Sequence, residues 1–317
     1  MTSVGVVVCA YDLGRWARTV EAVASVLAQD APVHEVIVVI DHNPELLQRA
    51  EEAWTDPRVR VVPSTGAQGL SGARNSGVSQ VASEVVAFLD DDAVAEPSWI
   101  RLLLGVYAEP EVVACGGRVI PALGGPRPGW WPLEFDWVVG CSYVGLPEVR
   151  SEVRNVIGAN MSVRRDVAVE AGGFAEGIGR VGLRPLGCEE TDLLIRMAQH
   201  RPGARVVYEP NSAVHHWVPV ERLTWAYFRA RCVAEGLSKA QVAARVGPAQ
   251  ALATERAYVR RVLPVGIGRA VRAGQPRRAA AIVAGTALTA AGYARGRLAA
   301  TGGRANRVVP RPVRSSA

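Results

Sequence analysis

Val85-Val86-Ala87-Phe88-Leu89-Asp90-Asp91-Asp92 is an apolar run that ends abruptly in three carboxylates. An uninterrupted apolar stretch of this length reads as a strand buried in a parallel sheet. Ligands of such sheets bind in the crevice outside the carboxyl ends of the strands, so the acids stand where a ligand would. Adjacent carboxylates repel one another unless a cation or solvent relieves them. Hard divalent ions such as magnesium or manganese take carboxylate oxygens and share their shell with substrate phosphates, which is the chemistry the spacing suggests. A solvated acidic turn is the simpler alternative, and the buried strand ahead of the acids weighs against it.

The segments upstream repeat one plan. Val4 to Ala10 is a Val-rich apolar run leading to Tyr11-Asp12-Leu13-Gly14, and Thr19 to Gln29 has helical character. Glu35 to Ile40 is a second strand, ending at Asp41-His42-Asn43-Pro44, followed by a helix over about 44–54 and a short strand at Val59 to Val62. Strands alternating with helices imply right-handed crossovers and a mostly parallel sheet. Gly66 to Gly77 (GAQGLSGARNSG) offers backbone N–H groups and Arg74 to a phosphate, although it has neither the Walker nor the dinucleotide-binding spacing.

Downstream of the acids, Glu96 to Glu109 reads as a helix and Val112 to Ile120 as a strand. The texture then changes, with prolines at 121, 126, 128 and 132 and tryptophans at 130, 131 and 137. This predicts an irregular aromatic flap whose indole faces suit either a sugar or plain packing. Cys188-Glu189-Glu190-Thr191-Asp192 opens a helix over Leu193 to Ala198, where carboxylates either cap the helix or take a proton from an attacking hydroxyl. Val206 to Tyr208 is a last short strand, and His215-His216 follow it as candidate metal ligands.

Composition sets limits. The chain has 317 residues, 49% of them hydrophobic, enough for one large α/β domain with an appendage. Five dispersed cysteines without a Cys-x-x-Cys pair argue against a disulfide framework and for a reducing compartment. The N-terminus enters a strand without the basic and apolar pattern of a signal peptide, so a cytoplasmic location is expected. The net charge of +6 hides an asymmetry: from Pro219 onward there are only three acids, Glu221, Glu235 and Glu255, among many arginines. That tail seeks an anionic partner, either nucleic acid or the cytoplasmic leaflet.

Several spaced motifs together resemble the family 2 glycosyltransferases of the GT-A fold, over about residues 3 to 240. The VVVCAY turn with Asp12, the EVIVVID strand, GLSGARNSG, FLDDD, NVIGANMSVRR followed by GGF, and CEETDLLIR occur in the family's order. The resemblance implies a Rossmann-like sheet flanked by helices and an inverting, non-processive transfer from a nucleotide sugar, a UDP sugar being favoured. It implies that Ala10, Tyr11, Asp12, Asp41, Gly72, Arg74, Asp90 and Asp91 line the nucleotide site. Asp90 and Asp92, with His216 (or His215), would hold Mn2+ or Mg2+. Glu190 is the favoured general base with Glu189 as the alternative, because the family commonly carries Asp at the position of Glu190. Trp130, Trp131, Tyr143 and Asn160 are expected on the acceptor side from their place in the chain. The absence of a Gln-x-x-Arg-Trp motif argues against a processive polymerase.

These readings divide the chain into a catalytic domain over 1–218, a basic helical extension over 219–300, and a tail over 301–317 whose composition predicts disorder. The Ala-rich stretch from Ala279 to Ala294 is short for a bilayer span, so a surface or core-docking helix is expected. The acceptor is then a glycan or lipid-linked molecule, with an anionic membrane surface as a partner. The competing class is a non-catalytic protein binding nucleic acid or an anionic surface through the tail, which has few aromatics and no recognised zinc or helix-turn-helix spacing.

Overall fold

The computed structural model describes residues 2–179 and 186–305. The expected opening appears as β1 (Val4–Ala10), α1 (Trp16–Leu27), β2 (Glu35–Ile40), α2 (Pro44–Ala53), β3 (Val59–Pro63), α3 (Leu70–Gln80) and β4 (Val85–Asp90). These strands are parallel in the order β3-β2-β1-β4, with Cys9 opposite Asp90. Their inward and outward side chains enter two separate apolar layers, Val6, Val8 and Val38 on one face and Val7, Ile37 and Val39 on the other. Burial on both faces is why these strands read as continuous apolar runs rather than alternating ones. Gly77 of α3 lies so close to Val7 that a Cβ there would overlap its side chain, which lets the helix sit directly on the sheet.

Beyond β4 the sheet is mixed. Along the chain come β5 (Ala93–Ala95), α4 (Trp99–Val106), β6 (Val112–Leu123), β7 (Ser151–Glu152), β8 (Asn160–Arg164), α5 (Arg165–Glu170), α6 (Glu189–His200) and β9 (Arg205–Val218). The spatial order continues from β4 through β8, β6 and β9 to β5, with β8 antiparallel to both neighbours and β5 antiparallel to β9. The last strand is far longer than the three residues its sequence suggests. It passes through Pro210-Asn211-Ser212 as a bulge opposite Gly117-Arg118 and continues to Val218. Gly117 permits this, since a Cβ there would collide with the Ser212 carbonyl. Both histidines therefore lie within a strand, where His216 pairs in register with Ala93, the residue after Asp92.

The basic extension folds as α7 (Trp225–Val246), α8 (Pro248–Ala251), α9 (Ala253–Ala257), α10 (Leu263–Arg272) and α11 (Pro276–Ala305). Pro264 does not interrupt α10, because it falls in the first turn where its missing N–H is not needed. The chain boundary at 219 is not a packing boundary. Phe228, Cys232, Leu263 and Ile282 join the core of the sheet, and Arg245 of α7 pairs with the buried Asp192 of α6 at 3.0 Å. Among the described residues no helix is long and apolar enough to cross a membrane. Of the tail expected to be disordered, 301–305 continue α11 and 306–317 lie outside the described residues.

Helices α7 and α11 meet along glycines. A Cβ on Gly236 would strike the Thr289 carbonyl, and one on Gly292 would strike the Val233 carbonyl, so the backbones are nearly in contact. Gly292→Val is expected to force the helices apart at a cost of about 2–3 kcal/mol, read as a lower urea midpoint at unchanged slope. An unchanged midpoint would show that the seam is not tight.

Candidate active site

Strand β4 ends at Asp90, and the two acids after it turn into β5. Pairing of β5 with β9 then fixes Asp92 beside His216: His216 Nε2 lies 3.1 Å from Asp92 Oδ1, and the Trp217 amide donates to the Asp92 carbonyl at 2.8 Å. Asp90, Asp92 and His216 each offer a ligand atom, all within 4.8 Å of one another. Two carboxylate oxygens and an imidazole nitrogen at that spacing suit a divalent ion that keeps positions for phosphate oxygens and water. The other ring nitrogen, Nδ1, faces Cys141 Sγ at 3.7 Å.

Arg15 offsets the charge of the acids. Its guanidinium binds Asp91 Oδ1 at 2.8 Å and also contacts Asp92 Oδ2. Burial pushes the Asp91 carboxyl up to about 6 even though Arg15 pulls it down. Among the described residues, Asp91 Oδ2 and Glu189 Oε2 are buried side-chain oxygens without a hydrogen-bond partner, which leaves acceptor capacity at the site. The sequence reading missed Arg15 because the turn ahead of α1 has no motif; only its place just beyond the first strand's tip could have drawn notice.

On the other side of Asp90 stands Arg74, 2% exposed on α3. It donates to Asp90 Oδ1 at 3.3 Å, to Glu189 Oε1 at 3.0 Å and to the Gly158 carbonyl at 3.1 Å. A Cβ on Gly158 would press on the guanidinium. Cys188 takes a left-handed conformation (φ 69°) that starts α6 at Glu189, four residues before the apolar periodicity becomes legible. The adjacent glutamates consequently diverge. Glu189 turns toward Arg74, whereas Glu190 receives the Thr191 hydroxyl, at 3.3 Å, and lines the cavity. Burial, and then the charge of Glu189, push the Glu190 carboxyl up to about 8.

The nucleotide-side candidates lie at the carboxyl edge of the parallel strands. Asp41 Oδ2 accepts from the Gly69 amide at 2.9 Å, tying β2 to the loop before α3. Tyr11 is exposed beyond Ala10, and Asp12 caps the turn by accepting from the Gly14 amide. Gly72 packs against the Ala67 backbone so closely that no side chain fits.

The acceptor-side expectations fare differently. Tyr143 lines the cavity, its ring 5.4 Å from that of Tyr258. Asn160 is fully buried, its Oδ1 accepting from Trp99 Nε1 and its Nδ2 donating to the Arg118 and Ser212 carbonyls, so its polar atoms are engaged within the fold. Trp131 is also fully buried, with Nε1 bound to Asp136, and Trp130 packs edge-on against Trp225 and Phe228. These three serve the core in this structure, and Trp137 is the indole that lines the cavity.

Residues 5–171 match the glycosyl transferase family 2. The chain belongs to that family. It is 37% identical over 238 residues to the glucosyl-dolichyl phosphate glucuronosyltransferase of Haloferax volcanii, covering 74% of this chain and 76% of that one. Among solved structures, the mannosyltransferase PcManGT from Pyrobaculum calidifontis, in complex with GDP-Man and Mn2+, superposes with a TM-score of 0.57 at 19% identity, covering 98% of this chain and 81% of that one. GalNAc-T7 with UDP, GalNAc and Mn2+ superposes with a TM-score of 0.54 at 17% identity, covering 75% of this chain and 48% of that one. The fold is therefore that of the GT-A glycosyltransferases, and this family member is a glycosyltransferase.

Proposed function

We propose that the enzyme moves a sugar from a nucleoside-diphosphate sugar, with a UDP sugar as the expected donor, to an acceptor hydroxyl or lipid phosphate, inverting the anomeric carbon. The observation that carries this reading is the placement of Glu190, Arg74 and Asp90 on one cavity, with Asp92 and His216 beside Asp90. Asp90, Asp92 and His216 would hold Mn2+ or Mg2+, which supplies positive charge to the diphosphate as it leaves. Arg74 contributes a buried guanidinium to the same leaving group, and Asp41 and Tyr11 face the nucleoside. Glu190, with its raised pKa, takes the proton when the attacking group is a hydroxyl, whereas a phosphate oxygen attacks already ionised. The bond between anomeric carbon and diphosphate breaks with its electron pair on phosphate, and no covalent enzyme intermediate is needed.

The Haloferax relative is named for glucuronosyl transfer to glucosyl-dolichyl phosphate, a sugar-bearing lipid phosphate, and a lipid-linked acceptor is proposed here as well. The basic extension favours an anionic membrane surface as the place where it works, since exposed Val265 and Val271 stand among Arg269 and Arg272 on α10.

A thermal-shift panel of UDP, GDP and dTDP, each with and without Mn2+, tests the donor half. One nucleotide is expected to raise the melting temperature by several degrees only when Mn2+ is present, since a ligand at a hundred times its Kd adds about 2.7 kcal/mol. No metal-dependent shift with any nucleotide would remove the reading.

A further inference from the structure

The cavity that reaches Arg74, Asp90, Glu189 and Glu190 does not end at them. It continues between the catalytic body and the C-terminal helices and encloses about 1000 Å³ in all. That is the upper end of the range for small-molecule sites, about 300–1000 Å³. Past Glu190 most of the exposed wall is apolar, with Val138, Val139 and Leu146 on the body and Leu252, Val262 and Leu263 on the extension, interrupted by the charged side chains of Arg154, Glu235, Lys239 and Glu255. The family match stops at residue 171, so the extension's wall lies outside what the family assignment covers.

A network of ion pairs runs along this chamber. Arg154 grips Glu255 with two nitrogens at 2.6 and 2.8 Å, and Lys239 binds both Glu255, at 2.6 Å, and Glu235, at 3.1 Å. Glu235 in turn accepts from Cys188 Sγ at 3.3 Å, the residue that sets the direction of Glu189 and Glu190. The network thus joins α7 and α9 to the start of α6 and fixes the far wall relative to the reacting end. A sugar moiety alone would gain little from the apolar walls, whereas a hydrocarbon chain gains about 0.8 kcal/mol for each methylene buried, which is about fourfold in affinity.

We propose that the chamber receives the apolar chain of an amphiphilic acceptor, a long alkyl or isoprenoid chain whose polar head brings the reacting oxygen to Glu190. The inference rests on the glycosyltransferase reading and extends it: the C-terminal helices select the acceptor. In the transfer the head-group oxygen bonds to the anomeric carbon, its proton passes to Glu190, and the electron pair of the broken bond leaves with the nucleoside diphosphate.

Butyl, hexyl and octyl β-glucosides, titrated calorimetrically into the full-length enzyme below their micelle thresholds, test this directly. Affinity is expected to climb about fourfold per methylene in the wild type. It should stop climbing in Leu252→Trp and in Ala290→Trp, which fill the chamber, while the metal-dependent nucleotide shift persists. Should both variants unfold, a dibrominated undecanoyl glucoside provides a second measurement. It is expected to quench wild-type tryptophan fluorescence by contact with Trp137 and to quench a smaller fraction in Trp137→Phe. Affinity independent of chain length, an unchanged slope in the filled variants, or equal quenching with and without Trp137 would each overturn the inference. Any of these beside an intact nucleotide shift leaves the donor reading standing, whereas loss of that shift in the wild type removes the donor reading itself.

Discussion

Asp92→Ala is expected to abolish the Mn2+-dependent thermal shift with nucleotide and to lower kcat/KM by well over a hundredfold. The side chain is 2% exposed and stands between the Arg15 guanidinium and His216 Nε2. It is a member of the Asp90–Asp92–His216 group, and its oxygen is also what orients the imidazole. Loss of an orienting partner alone typically reduces metal affinity or activity by 10- to 100-fold, and here the ligand goes with it. The fold should survive, because Arg15 keeps Asp91 at 2.8 Å and β5 pairs with β9 through backbone bonds that the substitution leaves intact. Parallel melting curves without metal check this, and initial rates across a manganese titration check the rest. A variant whose rate still saturates with manganese at the wild-type concentration would show that the metal is held elsewhere.

The parts of this site differ in how much of them the sequence discloses. β1, β2 and β4 were legible because strands buried on both faces leave unbroken apolar runs, and the acids at the end of β4 then fall at the ligand-binding edge. The partnership of Asp92 with His216 was not legible. It depends on β9 running through Pro210-Asn211-Ser212, residues that signal a loop, and on Gly117 yielding space on the neighbouring strand. That Trp130, Trp131 and Asn160 pack into the fold was not legible either, because residue type says nothing of direction: indoles and amides suit an acceptor site and a core equally well. The chamber left no trace either, since its walls gather residues far apart in the chain, Val138 and Leu146 of the body with Leu252 and Leu263 of the extension.

The two glutamates at the start of α6 present the same problem in its sharpest form, and the structure separates them. Glu190→Gln is expected to lower kcat by 10²- to 10⁴-fold, the range for general-base catalysis, while the metal-dependent nucleotide shift stays. Glu189→Gln should instead loosen Arg74, which it holds at 3.0 Å, and so raise the donor KM more than it lowers kcat. The pH dependence follows from the same arrangement. Burial and the neighbouring Glu189 charge push Glu190 up to about 8, and only the ionised form accepts a proton, so the rate should rise with pH toward that value. Glu189→Gln removes the neighbouring charge and should move this rise to lower pH. Stability runs the opposite way. The folded protein keeps the Glu190 proton between its ordinary value of 4.5 and about 8 while the unfolded chain has released it, so this group's contribution falls as pH increases across that window. Glu190→Gln should therefore flatten both curves, the rate profile and the pH dependence of the urea midpoint. A variant that flattened the stability curve but kept the wild-type rate profile would assign the proton transfer to Glu189 and leave Glu190 as a buried acid without a catalytic part.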